Sequence, residues 1–314
     1  MRTAAIDCGT NSIRLLIADV EDGVLTDVER LMRVVRLGEG VDATGRLSDA
    51  ALERTFAAAE EYAVLLGKHG SPPVRFVATS ASRDAENRQD FVDGIRARLG
   101  VTPEVISGDE EARLSFEGAV SVLATAAGET VLVVDLGGGS TEFVAGTTDG
   151  LLAARSTDMG CVRYTERFLQ ADPPSAEQIG AMETEVGRML DQAAAEVPLE
   201  RVTRVVGVAG SITTVTAHAL ELPEYSASRL HGAELPVAEI TAAASDLLHA
   251  TREERAALPY MHPGRVDVIG AGALIWKCIV ERMAAVTGGR VSAAVTSEHD
   301  ILDGIALSVA ERKG

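Results

Sequence analysis

The sequence predicts an α/β protein built from two matched domains, and three observations lead to this prediction. Short runs rich in Val, Ile, Leu and Ala alternate with longer amphipathic segments, as strands alternate with helices. The same order of elements begins again near residue 130. The stretch "AIDCGTNSIRL" near the N-terminus is echoed by "VVDLGGGSTEF" at residues 133–143. Two tandem units of this kind predict a cleft between domains, where α/β proteins commonly bind ligands.

The first half predicts three strands before its first helix. The first two, "AAIDCG" and "SIRLLIADV", are almost continuous aliphatic runs, which is typical of strands covered on both faces. The third is "GVLTDVERLMRVVRLG". A helix then begins at Ser48, repeats apolar residues at three- and four-residue intervals, and ends near Gly70. Strand "VRFVATSAS", helix "RQDFVDGIRARLG", strand "PEVISG" and helix "DEEARLSFEGAVSVLA" follow in that order.

The second half begins with the same order of elements, in which the predicted strands are "TVLVVDLGGG", "STEFVAG" and "GLLAARSTDMG". A long helix begins at Ser175, where "SAEQ" forms a capping box with Gln178. Strand "RVVGVAG" leads into helix "SITTVTAHALEL", and strand "GRVSAAVTS" precedes a closing helix, "DILDGIALSVAERK". The predicted domains are residues 1–125 and 126–314, divided in the polar "TAAGET". The final helix at 300–314 is expected to pack back on the first domain.

Composition narrows the class of protein. The chain has 314 residues, 46% apolar and 24% charged, which suits a two-domain globular protein with an aliphatic core. A net charge of −18 argues against a nucleic-acid partner or an anionic membrane surface. No run of about 18 apolar residues predicts a membrane span, and the N-terminus does not resemble a signal peptide. Cys8, Cys161 and Cys278 are isolated, which suits core positions in the reducing cytoplasm.

The two echoed turns carry groups that suit phosphate and a metal ion. Gly137, Gly138 and Gly139 allow a sharp bend whose amides can surround phosphoryl oxygens, and Ser140 and Thr141 add hydroxyl donors. Carboxylates at both ends of this stretch are hard oxygen ligands for Mg²⁺. They are Asp135 and Glu142. The first turn offers the same kinds of group in Asp7, Gly9, Thr10, Asn11 and Ser12. Two facing turns of this kind would hold a phosphate chain from opposite sides.

Other nucleotide-binding signatures are absent from the sequence. There is no GxxxxGK[ST], and neither "GAGALI" nor "GVAGSI" is a GxGxxG. The strand-to-helix turn at "GVAGSITT", which includes Gly210 and Ser211, is equally explained by close packing or by contact with phosphate. An acidic-Gly turn closes the second strand of each repeat, at Asp22-Gly23 and Asp149-Gly150.

Taken together, seven stretches resemble the exopolyphosphatase/guanosine pentaphosphate phosphohydrolase family of the actin-like ATPase superfamily. They are "DCGTNSIRL", "ATSASRDAEN", "VISGDEEARLSFEG", "VVDLGGGSTE", "MGCVRYTERF", "GVAGSITT" and "RVDVIGAGALIW". The resemblance implies two tandem ribonuclease-H-like domains around a cleft. Longer family members carry further helical C-terminal domains, so the resemblance favours short polyphosphate chains here.

The resemblance also assigns roles to individual residues. An acidic first helical turn in "GDEEAR" is ordinarily explained by the helix dipole, but the family pattern makes Glu111 the catalytic base and Glu110 a supporting charge. Arg83 matches the family's phosphate-binding arginine, whereas Arg14 lies at a position where the family varies. The expected phosphate-binding residues are Gly9, Thr10, Asn11, Ser12, Arg83, Gly137, Gly138, Gly139, Ser140, Thr141, Gly210 and Ser211. Mg²⁺, with Mn²⁺ as an alternative, is expected on Asp135, Glu142 and Asp7.

The implied activity is hydrolysis of the terminal phosphoanhydride of inorganic polyphosphate, by a cytoplasmic homodimer. Glu111 would activate a water for in-line attack, Arg83 would stabilise phosphoryl oxygens, and orthophosphate would leave. Three alternatives stay open. They are hydrolysis of guanosine pentaphosphate, phosphotransfer to a small molecule or from polyphosphate, and non-catalytic sensing of polyphosphate or an alarmone.

Overall fold

The computed structural model describes residues 1–121, 128–147 and 150–312, and the chain forms two compact units. Unit 1 comprises Met1–Ser121 together with Asp300–Gly314, and unit 2 comprises Val122–His299. The predicted boundary after residue 125 and Asp149 of the second acidic-Gly turn both lie outside the described residues.

Unit 1 contains five strands and five helices before the chain leaves it. The strands are β1 (Arg2–Cys8), β2 (Ser12–Glu21), β3 (Val24–Val34), β4 (Val74–Ala78) and β5 (Glu104–Val105). The helices are α1 (Val41–Thr44), α2 (Asp49–Lys68), α3 (Ser80–Asp84), α4 (Arg88–Leu99) and α5 (Gly108–Val120). The sheet order is β3-β2-β1-β4-β5, with β1 to β3 antiparallel and β1, β4 and β5 parallel.

Within residues 128–147 and 150–299, unit 2 contains six strands and seven helices. The strands are β6 (Val131–Leu136), β7 (Thr141–Thr147), β8 (Gly150–Thr157), β9 (Arg204–Val208), β10 (Glu234–Pro236) and β11 (Ala293–Thr296). The helices are α6 (Cys161–Phe168), α7 (Ala176–Glu196), α8 (Gly210–Ala219), α9 (Ala227–Leu230), α10 (Val237–His249), α11 (Arg252–Ala256) and α12 (Ile269–Val286). Two short 3₁₀ helices lie at Leu199–Arg201 and Pro263–Arg265. The last helix of the chain, α13 (Ile301–Glu311), belongs to unit 1.

The sheet of unit 2 repeats the arrangement of unit 1 and extends it. Its order is β10-β11-β9-β6-β7-β8. Strands β6, β7 and β8 are antiparallel neighbours, as β1, β2 and β3 are, and β9 lies parallel to β6 as β4 lies parallel to β1. The prediction of an α/β protein with two tandem matched domains is therefore confirmed.

Both faces of the unit 1 sheet are covered because its central strands are apolar on both sides. Ile6 and neighbouring alternate residues pack with α2 and α4, where the buried Tyr62 hydroxyl donates to the carbonyl of Ile13 at 2.9 Å. Ala5 faces the opposite way and packs with α5 and α13. Asp7 shares the face of Ala5, so this acidic residue points to the side that holds α5 and α13.

One large aliphatic cluster forms the core of unit 2, and the single tryptophan, Trp276 on α12, is buried in it. Cys161 is buried here, Cys8 is buried in unit 1, and Cys278 is half-buried; all three are free thiols. Burial raises the pKa of each of them, to about 12 for Cys278. Within the described residues, no helix is both long and apolar enough to cross a membrane.

One local prediction was wrong, and one helix was not predicted. The stretch "VRFVATSAS" does not continue as a strand, because β4 ends at Ala78 and helix α3 begins at Ser80. Helix α6 was not predicted after "GLLAARSTDMG", and its apolar residues Cys161, Val162 and Tyr164 are buried. The capping box at Ser175 and Gln178 is confirmed, since each side chain bonds the other residue's backbone amide.

Helices α5 and α13 approach so closely that two glycines are required. A Cβ atom on Gly304 would lie 2.0 Å from the carbonyl oxygen of Leu114, and one on Gly118 would lie 1.8 Å from that of Asp300. Both obstacles are backbone atoms, so only movement of a helix could make room. We expect Gly304→Ala to lower the free energy of unfolding by about 1–3 kcal/mol, measured by urea denaturation.

Gly67 near the end of α2 provides the control, because a Cβ atom there meets nothing within 4 Å. Gly67→Ala should leave stability unchanged or raise it by up to about 1 kcal/mol, since alanine favours the helix. Equal stability of the two variants would contradict the proposed close contact.

Candidate active site

The two echoed Asp-x-Gly turns, which begin at Asp7 in unit 1 and at Asp135 in unit 2, close with the same backbone hydrogen bond. In unit 1 the amide of Gly9 donates to the carbonyl of Ser12 at 2.9 Å, and in unit 2 the amide of Gly137 donates to that of Ser140 at 3.0 Å. A Cβ atom on Gly137 would lie 3.1 Å from the same carbonyl oxygen, which leaves little room for a side chain. The echo in the sequence is therefore also an echo in backbone conformation.

The carbonyl groups of the second turn are held by α6. The carbonyl of Gly137 accepts from the amide of Cys161 at 3.0 Å, and that of Gly138 accepts from the next amide of the helix at 2.9 Å. Nε of Arg163 donates to the carbonyl of Gly139 at 2.8 Å. Because C=O and N–H point in opposite directions across a trans peptide, the three following amides point away from α6.

This arrangement makes the second turn a concavity lined by N–H groups. Three successive amides aimed to one side carry partial positive charge and suit phosphoryl oxygens. The close approach of α6 depends on Gly160, where a Cβ atom would lie 2.4 Å from the carbonyl carbon of Gly138.

The first turn is held in the same way by the segment that follows β3. The carbonyl of Thr10 accepts from the amide of Gly38 at 2.8 Å, and the carbonyl of Asn11 accepts from the amides of Val35 and Arg36 at 3.0 and 2.9 Å. The two amides that follow these carbonyls therefore point away from that segment. Both predicted phosphate turns thus present amides rather than carbonyls on one side.

The two turns differ in the residue that faces the aspartate across the sheet. Asp7 pairs with Arg14 between β1 and β2, whereas Asp135 pairs with Glu142 between β6 and β7. Directly opposite residues share a face of an antiparallel pair, and like charges there destabilise it. The first aspartate is thus neutralised by an arginine, while the second shares its place with another carboxylate.

Asp7 is buried, and only one of its two carboxylate oxygens has a hydrogen-bond partner among the described residues. Nε and Nη2 of Arg14 donate to its Oδ2 atom at 2.9 and 2.6 Å, and Nη1 of Arg14 donates to the buried Asp300 at the start of α13. Burial raises the pKa of Asp7, an effect that Arg14 partly offsets. The Oδ1 atoms of Asp7 and of Asn11 are buried and have no hydrogen-bond partner among the described residues. They are two oxygen acceptors in one turn that need a donor or a cation.

Glu111 and Arg83, which the family resemblance predicts to be the base and a phosphate ligand, form an ion pair in unit 1. Nη1 of Arg83 donates to Oε2 of Glu111 at 3.0 Å and to the carbonyl of Ile106 at 3.2 Å, and Glu111 is only 7% exposed. Helix α3, which carries Arg83, begins at Ser80, whose hydroxyl bonds that of Thr10 at 2.8 Å. The first turn, Arg83 and Glu111 are therefore linked within one unit.

Glu110 has a different environment from its neighbour. Its Oε1 atom accepts from Nη2 of Arg75 at 2.5 Å, and Arg75 also bonds Glu104 at 2.9 Å. The Arg75 side chain is only 2% exposed, so the two glutamates neutralise a buried cation. This contact explains Glu110 as a structural charge and separates it from Glu111.

The side chains of the second turn are mostly engaged. Asp135 and Glu142 are buried, and the hydroxyl of Ser156 donates to Oε1 of Glu142 at 2.7 Å. The hydroxyl of Thr141 donates to the carbonyl of Met159 at 2.5 Å. Thr141 therefore fixes the path of the chain into α6, whereas the two carboxylates are the acidic pair of this turn.

The turn before α8 is strained and packed against an arginine. Ala209 has φ 74° and ψ 169°, a conformation that usually requires glycine and that is common at functional sites. Nη1 of Arg265 donates to the carbonyl of Gly210 at 3.1 Å, and a Cβ atom on Gly210 would lie 2.2 Å from the guanidinium carbon. Ser211 packs on Gly272, where a Cβ atom would lie 2.3 Å from its hydroxyl oxygen.

The predicted residues thus fall into two groups, one in each unit. Unit 1 holds the first turn, Arg83 and Glu111, and unit 2 holds the second turn, Gly210 and Ser211. Across residues 1–121, 128–147 and 150–312, no group of three or more His, Cys, Asp or Glu residues is arranged to hold a metal ion. Arg163 and Arg265 were not among the predicted site residues, although both lie in stretches that resemble the family, "MGCVRYTERF" and "RVDVIGAGALIW".

Comparison with known proteins gives full-length matches. Exopolyphosphatase 2 of Mycobacterium tuberculosis is 48% identical over 318 residues, covering 98% of each chain. The crystal structure of an exopolyphosphatase-like protein shares 44% identity and a TM-score of 0.96, with 100% of both chains covered. The crystal structure of the Aquifex aeolicus member of the Ppx/GppA family shares 29% identity and a TM-score of 0.80, covering 100% of this chain and 99% of that one.

The profile of the Ppx/GppA phosphatase family matches residues 16–308, which include almost the whole of both units. The resemblance carried by the seven stretches is confirmed by this match and by the 48% identical relative. The chain belongs to the Ppx/GppA phosphatase family.

Proposed function

We propose that this chain is an exopolyphosphatase, which hydrolyses the terminal phosphoanhydride of inorganic polyphosphate and releases orthophosphate. Family membership and the 48% identical exopolyphosphatase 2 support this activity. The observation that carries the proposal is the pairing of a buried Glu111 with Arg83 beside a turn whose amides point to one side. A fixed carboxylate, a cation and an amide-lined turn are the groups that phosphoanhydride hydrolysis needs.

Glu111 acts in this proposal as the general base. Its carboxylate orients a water molecule and accepts a proton from it as the water attacks the terminal phosphorus. Arg83 holds Glu111 in place through Nη1, and other N–H groups of its guanidinium bind oxygens of the transferred phosphoryl group. Because such reactions depend on positioning and charge stabilisation, a buried and anchored base is well suited to the task.

The amides of each turn are suited to bind phosphate oxygens. In unit 2 these are the three amides after Gly137, and in unit 1 the two amides after Thr10. Backbone amides neutralise phosphate without a net positive charge, which is consistent with anion binding by a chain of charge −18. Gly210 and Ser211 contribute only through the backbone in this proposal, because the Ser211 side chain packs on Gly272.

We also propose that Mg²⁺, or Mn²⁺ in its place, is the cofactor. The residues of unit 2 suit a hard cation, because Asp135 and Glu142 are buried carboxylates on directly opposite strand positions. In unit 1, Oδ1 of Asp7 is a buried oxygen without a hydrogen-bond partner among the described residues. Asp135 and Glu142 would hold the ion in unit 2. When bound, the ion neutralises charge on the phosphates.

Cytoplasmic location and a homodimeric state are further proposals, which follow from the family resemblance and from isolated free cysteines. Guanosine pentaphosphate is the alternative substrate.

The base assignment predicts a specific kinetic defect. Glu111→Gln should lower kcat for orthophosphate release by about 10²–10⁴-fold, because glutamine cannot accept the proton, while the dissociation constant for substrate changes little. Assays of phosphate release with Mg²⁺ measure kcat, and equilibrium binding measures the dissociation constant. Glu110→Gln is the matched control, since it changes the adjacent residue in the same way.

Glu110→Gln should lower stability through the Arg75 contact and leave kcat within a few-fold of the parent. If Glu110→Gln loses as much kcat as Glu111→Gln, or if Glu111→Gln remains active, Glu111 is not the base.

Substrate choice is tested with short polyphosphate, long polyphosphate and guanosine pentaphosphate at equal phosphate concentrations. We expect the highest kcat/KM for polyphosphate. Adding ADP should not divert phosphate into ATP, which distinguishes hydrolysis from phosphotransfer. Binding of all three substrates without any phosphate release would overturn the proposed activity and favour a sensor.

The metal proposal predicts a change in cation dependence. Activity should be lost in EDTA and restored by Mg²⁺ or Mn²⁺, and Glu142→Gln should raise the Mg²⁺ concentration for half-maximal activity roughly 10–100-fold. Glu177→Gln, which removes an equal charge at an exposed position of unit 2, should leave it unchanged. An unaltered Mg²⁺ dependence in Glu142→Gln would exclude Glu142 as a ligand.

A further inference from the structure

The first turn is held by a short segment between β3 and α1, residues 35–38, which we call the support segment. The amides of Val35 and Arg36 both donate to the carbonyl of Asn11, at 3.0 and 2.9 Å. The amide that follows this carbonyl belongs to Ser12, and it points the opposite way across the same planar peptide. The direction of a proposed phosphate-binding amide therefore depends on where the support segment lies.

The support segment is tightly packed and has an unusual backbone conformation. The amide of Gly38 donates to the carbonyl of Thr10 at 2.8 Å, and a Cβ atom on Gly38 would lie 2.3 Å from Cγ2 of Thr10. Arg36 has φ 49°, in the left-handed region that residues other than glycine seldom adopt. A conformation of this kind persists only where the surrounding contacts enforce it.

Arg54 on α2 supplies such a contact from the side away from the turn. Its Nε atom donates to the carbonyl of Val35 at 2.8 Å, and its Nη2 atom lies 3.5 Å from the carbonyl oxygen of Arg36. The same Nη2 atom donates to Oε2 of Glu39 at 3.0 Å. A planar guanidinium can bond several acceptors at once in a fixed geometry. Because Glu39 balances its charge, Arg54 is suited to hold the backbone rather than to attract an anion.

The peptide group between Val35 and Arg36 is bound at both ends. Its carbonyl accepts from Arg54, and its N–H donates to the carbonyl of Asn11. The next peptide in this chain of contacts runs from Asn11 to Ser12 and ends at the Ser12 amide. Two planar peptides and two hydrogen bonds therefore connect the Arg54 side chain with that amide.

We propose that Arg54 is a positioning residue, which orients the amides of the first turn for phosphate. It does not itself bind the substrate in this account. The inference rests on the proposed function, in which these amides bind phosphate oxygens, and it adds a residue on α2 to that site. Holding the amides in place before binding lowers the entropy that the substrate must pay when it orders them.

Unit 2 has an arginine in a comparable place. Nε of Arg163 donates to the carbonyl of Gly139 in the second turn at 2.8 Å. There the guanidinium bonds the turn itself, whereas Arg54 acts through one intervening peptide. In both units an arginine thus lies on the side to which the carbonyls point.

The kinetic test is Arg54→Gln, which shortens the side chain and removes the set of donors. We expect KM for polyphosphate to rise about tenfold while kcat stays within about threefold of the parent, because substrate and transition state use the same amides. The matched control is Arg33→Gln at the end of β3. Arg33 bonds Glu61 of α2 and the carbonyl of Met32, so its loss removes an equal charge without touching the support segment.

Binding is measured in chains that also carry Glu111→Gln, so that the polyphosphate stays intact. Arg54→Gln should raise the dissociation constant about tenfold. Arg54→Lys should keep most of this defect, because an ammonium group keeps the charge but not the planar donors. Glu39→Gln should have little effect, because the bonds to the carbonyls remain. A dissociation constant in Arg54→Lys equal to that of the parent would assign the effect to charge and overturn the proposal.

Hydrogen exchange gives a readout that does not depend on activity. In Arg54→Gln, the amides of residues 9–14 and 33–38 should exchange faster than in the parent, while the rest of unit 1 keeps its exchange rates. Arg33→Gln should match the parent throughout. Unchanged exchange of residues 33–38 in Arg54→Gln would show that Arg54 does not hold the support segment.

Hydrolysis and positioning fail separately in these experiments. A parent chain that binds polyphosphate without releasing phosphate would overturn the proposed activity but not the role of Arg54, which the dissociation constants still measure. Equal dissociation constants for the parent, Arg54→Gln and Arg33→Gln would overturn the role of Arg54, whether or not the chain releases phosphate.

Discussion

The candidate site depends on which way a few peptide groups point. In both Asp-x-Gly turns, the carbonyls are bound from one side, by α6 in unit 2 and by residues 35–38 in unit 1. Planar trans peptides then leave the amides facing the other way. These contacts account for two nearby residues. Gly160 leaves room for α6 to approach the turn, and Nε of Arg163 donates to the carbonyl of Gly139. An anion site made of backbone therefore rests on packing several residues away.

The repeat of the turn is not a repeat of its charge. Arg14 in unit 1 and Glu142 in unit 2 occupy equivalent positions. Each lies directly opposite an aspartate in an antiparallel pair of strands. Arg14 also bonds Asp300, so the first aspartate belongs to an ion network that joins β2 to the start of α13. The same backbone conformation therefore occurs in two different charge environments. The first turn is stabilised by protein charges, whereas the second concentrates acidic groups that suit a cation.

Adjacent glutamates on α5 show how the fold assigns roles. Glu110 and Glu111 both follow the N-cap at Ser107 and both benefit from the helix dipole. Successive residues of a helix point in directions about 100° apart. One therefore reaches the buried Arg75, and the other reaches Arg83 beside the first turn. Their different contacts, rather than their charge, separate a structural residue from a candidate base.

The sequence by itself determined the α/β class, the order of almost all strands and helices, the two echoed turns and the family. These features depend on local periodicity, on turn-forming residues and on short motifs, all of which are visible along the chain. Only the tertiary structure decided that Glu111 pairs with Arg83 and that Arg14 neutralises the charge of Asp7. It also showed that the side chain of Arg163 donates to a carbonyl of the second turn. The physical reason is that these contacts join residues far apart in sequence, whose distances are set by sheet register and helix packing.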